Sequence, residues 1–395
     1  MPRLRRADCS GPGILRRRRG RGFTYADEYG QRVDDRETID RIRELVIPPA
    51  WQDVWICPYP NGHIQAVGTD AAGRRQYLYH PDWRRRRDRE KFDEMVRFAR
   101  ALPRLREAAA AHLRKRGLGR ERVLACAVRL LDRGFFRIGT EDYAEANGTY
   151  GLATMRRSHV TLGPDALIRF DYAGKGGKRH LQSVVDRSVY RVVEALKERP
   201  GAGELLAYQA DGEWVDVGSD DINAYIKELS QDSFSAKDFR TWNATVLAAV
   251  ALAVSGQAHG TKTGRKRACA RAVQEVAYYL GNTPAVCRAS YIDPRVFDRF
   301  RDGLTIGGAL EELGEVEFGE PATQGAIEEA VLDLLERDVE SPALERVAET
   351  APRAAASRPR AKRRPLARGP GARTGGRGSR SSPGRRSRSG ARTSP

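Results

Sequence analysis

The chain has 395 residues, 40% hydrophobic and 31% charged, with 70 Lys and Arg against 52 Asp and Glu. That length allows two packed domains with tails, and a formal charge of +18 makes a polyanion the first partner to consider. Five scattered cysteines (Cys9, Cys57, Cys126, Cys269, Cys287) give no disulfide frame or zinc knuckle, and no apolar run reaches the roughly 18 residues of a membrane helix.

The charge is unevenly spread. Residues 1–22 carry +7, residues 351–395 carry +14 and residues 303–350 carry −11, which leaves +8 for 23–302. The part expected to fold is thus only moderately basic. The N-terminus is rich in Arg but has no apolar signal core, so a soluble cytoplasmic protein without a membrane association is expected.

In chain order, residues 1–22 lack periodicity and read as a flexible basic arm. Residues 23–90 read as a β-rich domain. Segments 54–57 and 63–67 flank Pro60-Asn61-Gly62, where Asn-Gly predicts a hairpin because both residues tolerate positive φ. A further strand over 75–80 follows the turn Asp70-Ala71-Ala72-Gly73. Trp83 and Arg84 to Arg87 then lead into a charged helix ending near Arg100.

The larger domain, 91–305, has helical periodicity. Val123, Leu124, Ala127, Leu130 and Leu131 share one face, and Gly134 stops that helix. Short strands are expected over 158–163, 167–172 and 179–184. Residues 243–254 are apolar nearly all round and predict a buried helix; Ala272, Val273, Val276, Ala277 and Leu280 form a stripe stopped by Gly281. Residues 306–350 form an acidic helical segment with a stripe at Ile327, Ala330, Val331, Leu334 and Leu335. The Arg, Gly, Ser and Pro of 351–395 cannot bury enough apolar area to fold. The fold class is α+β: a small antiparallel β-rich domain, then a mainly helical domain with a small sheet.

Several chemistries lack their signatures. There is no Walker glycine loop or HExxH pair, and the six His residues have no metal-ligand spacing. The positive signal is a series of polar residues in apolar settings. Arg137 lies in Phe135-Phe136-Arg137-Ile138-Gly139, and Lys175 at the tip Gly174-Lys175-Gly176-Gly177 after a strand. Arg240 lies in Lys237-Asp238-Phe239-Arg240-Thr241-Trp242, and Asn282 and Tyr291 flank a helix break at Gly281-Asn282-Thr283-Pro284.

In this order the motifs resemble those of the type IB DNA topoisomerases, above all the short bacterial and poxvirus-type enzymes. Ile47-Pro48-Pro49-Ala50-Trp51, Gly62-His63-Ile64-Gln65-Ala66 and Gly73-Arg74-Arg75-Gln76-Tyr77 agree with the N-terminal part of that family. The resemblance covers roughly residues 14–305. It implies relaxation of supercoiled double-stranded DNA by a monomer clamped around the duplex, with no cofactor, metal or ATP. By that likeness Tyr291 is the nucleophile, Arg137 and Arg240 hold the phosphate, and Lys175 is the general acid for the 5′ oxygen. Gln76, Tyr77, Tyr79, Gly139, Tyr143 and Lys237 match DNA-contact positions. The poxvirus and eukaryotic members usually have His where this chain has Asn282, which can donate a hydrogen bond but not carry a charge.

Two other readings stay open at this point. Tyrosine recombinases share the Arg–Lys–Arg–Tyr chemistry, but usually have His where this chain has Lys237 and a helical domain in place of the N-terminal strands. A non-enzymatic DNA-binding relative would not need every catalytic position filled by a competent residue, as it is here.

Overall fold

The computed structural model describes residues 3–201, 203–255, 261–313, 321–336 and 340–346. The expected tail, 351–395, lies outside them. The N-terminal sheet contains β1 (Ile14–Arg19), β2 (Gly22–Ala26), β3 (Gln52–Ile56), β4 (Ile64–Thr69) and β5 (Arg75–Tyr79), with helix α1 (Arg36–Glu44) between β2 and β3. Neighbouring strands are antiparallel, in the order β2-β1-β3-β4-β5. Ile14, Val54, Ile56 and Ala66 pack with Ile42 of α1; Trp55, Cys57 and Val67 form a second small cluster.

Two expectations fail in this sheet. Residues 1–22 are not simply an arm, because Ile14–Arg19 is a strand between β2 and β3. Ile14 is buried, and Arg16 donates to the carbonyls of Ile47, Pro48 and Trp51 while lying over the Phe23 ring at 4.2 Å. Even Arg5 is tied in, its N–H donating to Asn61 O at 2.9 Å. An Arg run reads as a tail by composition, but one guanidinium that finds three carbonyls fixes the strand. The Asn61-Gly62 turn also forms for a different reason. Neither residue has positive φ, and a Cβ on Gly62 would lie 2.4 Å from Cys57 Sγ. The glycine there makes room for a buried thiol.

Helix α2 (Pro81–Leu113) is longer than expected. It passes Arg100 and Pro103, burying Phe98, Ala99, Leu102, Leu105 and Ala109 along one side. The expected division at residue 90 therefore falls inside a continuous helix. Tertiary packing outweighs the cost of the internal proline.

Next come α3 (Arg120–Gly134) and α4 (Glu141–Asn147), then a three-stranded antiparallel sheet of β6 (Val160–Leu162), β7 (Leu167–Ala173) and β8 (Arg179–Val185). Helix α5 (Arg187–Glu198), the hairpin β9 (Ala207–Ala210) and β10 (Glu213–Asp216), and α6 (Ser219–Ser230) follow. The apolar run anticipated at 243–254 is the body of α7 (Ala236–Val254), in which Phe239, Trp242, Ala244 and Ala248 are buried. Helices α8 (Lys262–Leu280), α9 (Pro284–Ser290) and α10 (Pro294–Arg301) lead to β11 (Leu304–Thr305), α11 (Gly307–Leu313), α12 (Pro321–Glu336) and β12 (Glu345–Arg346).

The acidic segment is part of the core. The α12 stripe is buried as its spacing predicts, and Glu328 accepts from both Arg106 and the Trp242 indole. Arg106 also grips Asp132 of α3 through two bonds of 2.9 and 2.7 Å. A partly buried cation held by two carboxylates ties α2, α3 and α12 together, and truncating it would strand both acids. Among the described residues no helix is long and apolar enough to cross a membrane.

Candidate active site

The site gathers where three chain breaks meet. At the first, α3 ends with Phe135 in the left-handed region (φ 55), and a Cβ on Gly134 would lie 2.0 Å from the Phe136 ring. The chain then runs without regular structure through Arg137 to Gly139, whose φ is positive (78). It is pinned from beneath by Leu152 N–H to Arg137 O (2.8 Å) and Ala153 N–H to Ile138 O (2.7 Å). Gly139 and Gly151 meet so closely that a Cβ on Gly151 would fall 2.4 Å from Gly139 N. Only glycines allow that approach.

At the second break, α8 ends at Gly281 (φ 61), and Thr283 caps the short α9 by accepting from Val286 N–H. This exposes the carbonyls of Leu280 and Gly281, the orphan acceptors of a helix end. Arg137 Nη2 donates to Gly281 O at 3.3 Å and to Asn282 Oδ1, and Arg240 Nη2 donates to Leu280 O at 3.0 Å. Arg240 Nη1 reaches back to Phe135 O, so one guanidinium staples the first break to the second.

At the third, α9 ends at Tyr291, whose N–H donates to Cys287 O and whose own carbonyl lies 3.3 Å from Thr245 Oγ1. The Arg240 guanidinium stands 5.5 Å from the Tyr291 ring centre. Arg240 is only 5% exposed. Burial, and next the charge of Arg137, pull its pKa down to about 10, while the Tyr291 hydroxyl offsets part of this. It remains a cation at neutral pH.

Arg137, Arg240, Asn282 and Tyr291 are therefore brought together as expected. Three buried nitrogens among them, Arg137 Nε, Arg240 Nε and Asn282 Nδ2, have no hydrogen-bond partner among the described residues. Both guanidinium groups rest on carbonyls rather than carboxylates. Buried donors without acceptors are costly, so an anion with several acceptor atoms would offset that cost here.

Lys175 is placed differently. It is exposed at the tip of the β7–β8 hairpin, in a turn closed by Gly177 N–H to Gly174 O with Gly176 and Gly177 at positive φ. No hydrogen bond joins it to the other four. Of the remaining positions matched by the resemblance, Tyr77 and Tyr79 project from the edge strand β5, 39% and 40% exposed, with rings stacked 6.1 Å apart. Gln76 turns to the opposite side, where its Nε2 donates to Asp70 Oδ2 at 2.9 Å. Tyr143 on α4 and Lys237 in the first turn of α7 are exposed.

Comparison with known proteins identifies the family. Residues 80–304 match the family described as eukaryotic DNA topoisomerase I, catalytic core, and residues 22–70 match the bacterial DNA topoisomerase IB N-terminal domain. The chain belongs to the type IB DNA topoisomerases. It is 30% identical over 286 residues to DNA topoisomerase 1B of Acanthamoeba polyphaga mimivirus, covering 71% of this chain and 85% of that protein. It is 22% identical over 291 residues to the monkeypox virus DNA topoisomerase I, covering 72% and 88%. DNA topoisomerase 1 of Schizosaccharomyces pombe is 32% identical over 126 residues, 32% of this chain and 15% of that protein.

For a type IB topoisomerase, the residues that support Tyr291 matter as much as the motifs, and the sequence did not mark them. Lys91 of α2 donates to Ser290 O, next to Tyr291; burial, then Lys237, lowers its pKa. Asp293 is fully buried and accepts from Arg295, which also bonds Asp93 and the Phe92 carbonyl on α2. The contacts of Lys91 with Ser290 and of Arg295 with α2 join residues far apart in the chain, so no local pattern reveals them.

Proposed function

We propose that this enzyme relaxes supercoiled duplex DNA by breaking one strand with Tyr291, without ATP or a metal. The observation that carries this reading is the set of three unpartnered buried N–H donors beside a tyrosine. A phosphodiester resists attack because its charge repels nucleophiles and its alkoxide leaves poorly. Arg137 and Arg240 would neutralise the non-bridging oxygens, with Asn282 Nδ2 as a neutral donor beside them. The Tyr291 oxygen then attacks phosphorus, gives up its proton to solvent water and forms a 3′-phosphotyrosyl bond. As the P–O5′ bond breaks, Lys175 gives its proton to the departing oxygen. The new ester keeps the energy of the old one, so the freed 5′ hydroxyl reseals the strand after rotation has released torsion.

The exposed pair Tyr77 and Tyr79 supports contact of the N-terminal sheet with DNA, as do Tyr143 and Lys237 beside the site; Gly139 lets the backbone approach closely. Gln76, held by Asp70, would act from the other side of β5. Because all the catalytic groups lie in one chain, we read the enzyme as a monomer closing around the duplex. The match to a bacterial N-terminal domain favours the bacterial chromosome as its substrate in the cytoplasm.

The decisive experiment is relaxation of supercoiled plasmid in EDTA without ATP, comparing wild type with Tyr291→Phe. Wild type relaxes the plasmid and yields a covalent adduct on a 3′ phosphate; the variant gives neither. Relaxation by Tyr291→Phe, or an adduct on a 5′ phosphate, would sink the assignment.

A further inference from the structure

His180 lies on β8, half-buried, where the Lys175 hairpin meets the arginine cluster. Its ring stacks on Tyr172, 5.5 Å between centres and 17° between planes. Its edge occupies the space that a Cβ would need at two glycines from separate segments. At Gly174, which opens the Lys175 turn, an added Cβ would fall 2.3 Å from His180 Cδ2 and 2.7 Å from Nε2. At Gly281, whose carbonyl accepts from Arg137, it would fall 1.9 Å from His180 Cε1. Gly281 is also required by its φ of 61, but Gly174 has no positive φ. The missing side chain at 174 therefore serves the contact with the ring.

The surroundings keep this ring in place and uncharged. The Tyr172 hydroxyl donates to Gln182 Oε1 at 3.0 Å, and Gln182 Nε2 donates to Gly134 O at 2.7 Å. The strands carrying His180 are thus tied to the residue before Phe135, whose carbonyl holds Arg240. Burial first, then Arg137, Arg240 and Lys178, hold the imidazole pKa below its ordinary value. A neutral ring can fill the gap between two segments without adding a third charge to the arginine pair.

We propose that His180 is a positioning residue that sets the register of the Lys175 hairpin against the Arg137–Asn282 segment. It thereby brings the Lys175 ammonium to the 5′ oxygen of the phosphate those residues bind. The proposal rests on the reading of Lys175 as proton donor, and its test separates the two.

Single-turnover cleavage is measured on a duplex with a mapped cleavage site, made either with the normal 5′ bridging oxygen or with sulfur in its place. A thiolate leaves without being protonated, so sulfur removes the need for a general acid. On oxygen, His180→Ala should cleave about 10²-fold more slowly than wild type, the scale of a misplaced catalytic group. On sulfur it should approach the wild-type rate, which also shows that the variant is folded. Gly174→Ala, which pushes against the ring, should show the same pattern with a smaller loss. An equal loss on both substrates, or no loss on oxygen, overturns the proposal. Lys175→Ala is run alongside: recovery on sulfur for Lys175→Ala but not for His180→Ala refutes only the role of His180. No recovery for Lys175→Ala refutes the proton-donor reading, and the proposal falls with it.

Discussion

In the proposed mechanism the two arginines and Lys175 are all cations offered to the same phosphate, yet the fold treats them in opposite ways. Arg137 and Arg240 lie beneath the surface on a bed of helix-end carbonyls, with Nε donors left over. Lys175 stands in solvent on a glycine turn with no hydrogen bond to the others. Charge that must stabilise a transition state gains strength from burial, and burial demands a scaffold built in advance. A proton donor has to reach an oxygen that arrives with the substrate, and a hairpin tip can move to meet it. On the proposed mechanism, the arginine half of the site exists before DNA binds.

Removal of Arg240 should break that comparison most severely. Arg240→Ala is expected to slow strand cleavage by about 10²–10³-fold, the cost of losing one buried donor to a developing anion. Arg240→Lys should recover little, because an ammonium cannot reach Phe135 O and Leu280 O while also facing a phosphate. Single-turnover cleavage rates decide this, and a fully active Arg240→Lys would contradict a guanidinium-specific role.

Lys175→Ala should cost about 10²-fold in cleavage, the lower range for a general acid, but leave the melting temperature unchanged. Arg240→Ala, by contrast, should shift melting, since it leaves two carbonyls without their donor. If thermal unfolding shows the same shift for both variants, the division into a built half and a mobile half is wrong.

Asn282 tests how much of the built half must be charged. Asn282→Ala should slow cleavage about 10-fold, near the value of a single hydrogen bond to a charged group. Asn282→His should be tolerated, because the position needs a donor at Nδ2 rather than a cation. Complete loss of plasmid relaxation in Asn282→His would show that the amide geometry itself is required.

The smallest effect concerns a group outside both halves. Burial, then Asp216 and Glu141, raises the Glu204 pKa to about 7. Its folded value lies above its unfolded one. The stability it contributes is therefore fully present below about pH 4.5 and is lost as the pH rises through about 7. Glu204→Gln should raise the melting temperature at pH 8 relative to wild type and leave it unchanged at pH 4. Cleavage at either pH should not respond, and if it does, the site is coupled to this distant carboxylate.

Much of the helical domain could be read from periodicity, because each amphipathic stripe has one face to bury: Ile327 to Leu335 and Ala272 to Leu280 are buried as spaced. The N-terminal arm was misread for the converse reason. The run Arg16 to Arg19 has no apolar alternation, and its place in the sheet depends on carbonyls at 47, 48 and 51 that no local window contains. The end of α2 was misplaced because Pro103 signals a break that packing overrides.

The sequence by itself determined the family. Five polar residues in ordered motifs, together with the glycines that let the chain turn beside them, specified it and the groups available to it. Tertiary structure alone decided how those groups are held: the Phe135 and Leu280 carbonyls beneath Arg240, Lys91 on Ser290, and His180 between two glycines. Motif residues are visible in sequence because their chemistry restricts residue type. Their supports are not, because a carbonyl belongs to every residue, and only the folded chain determines which ones face the site.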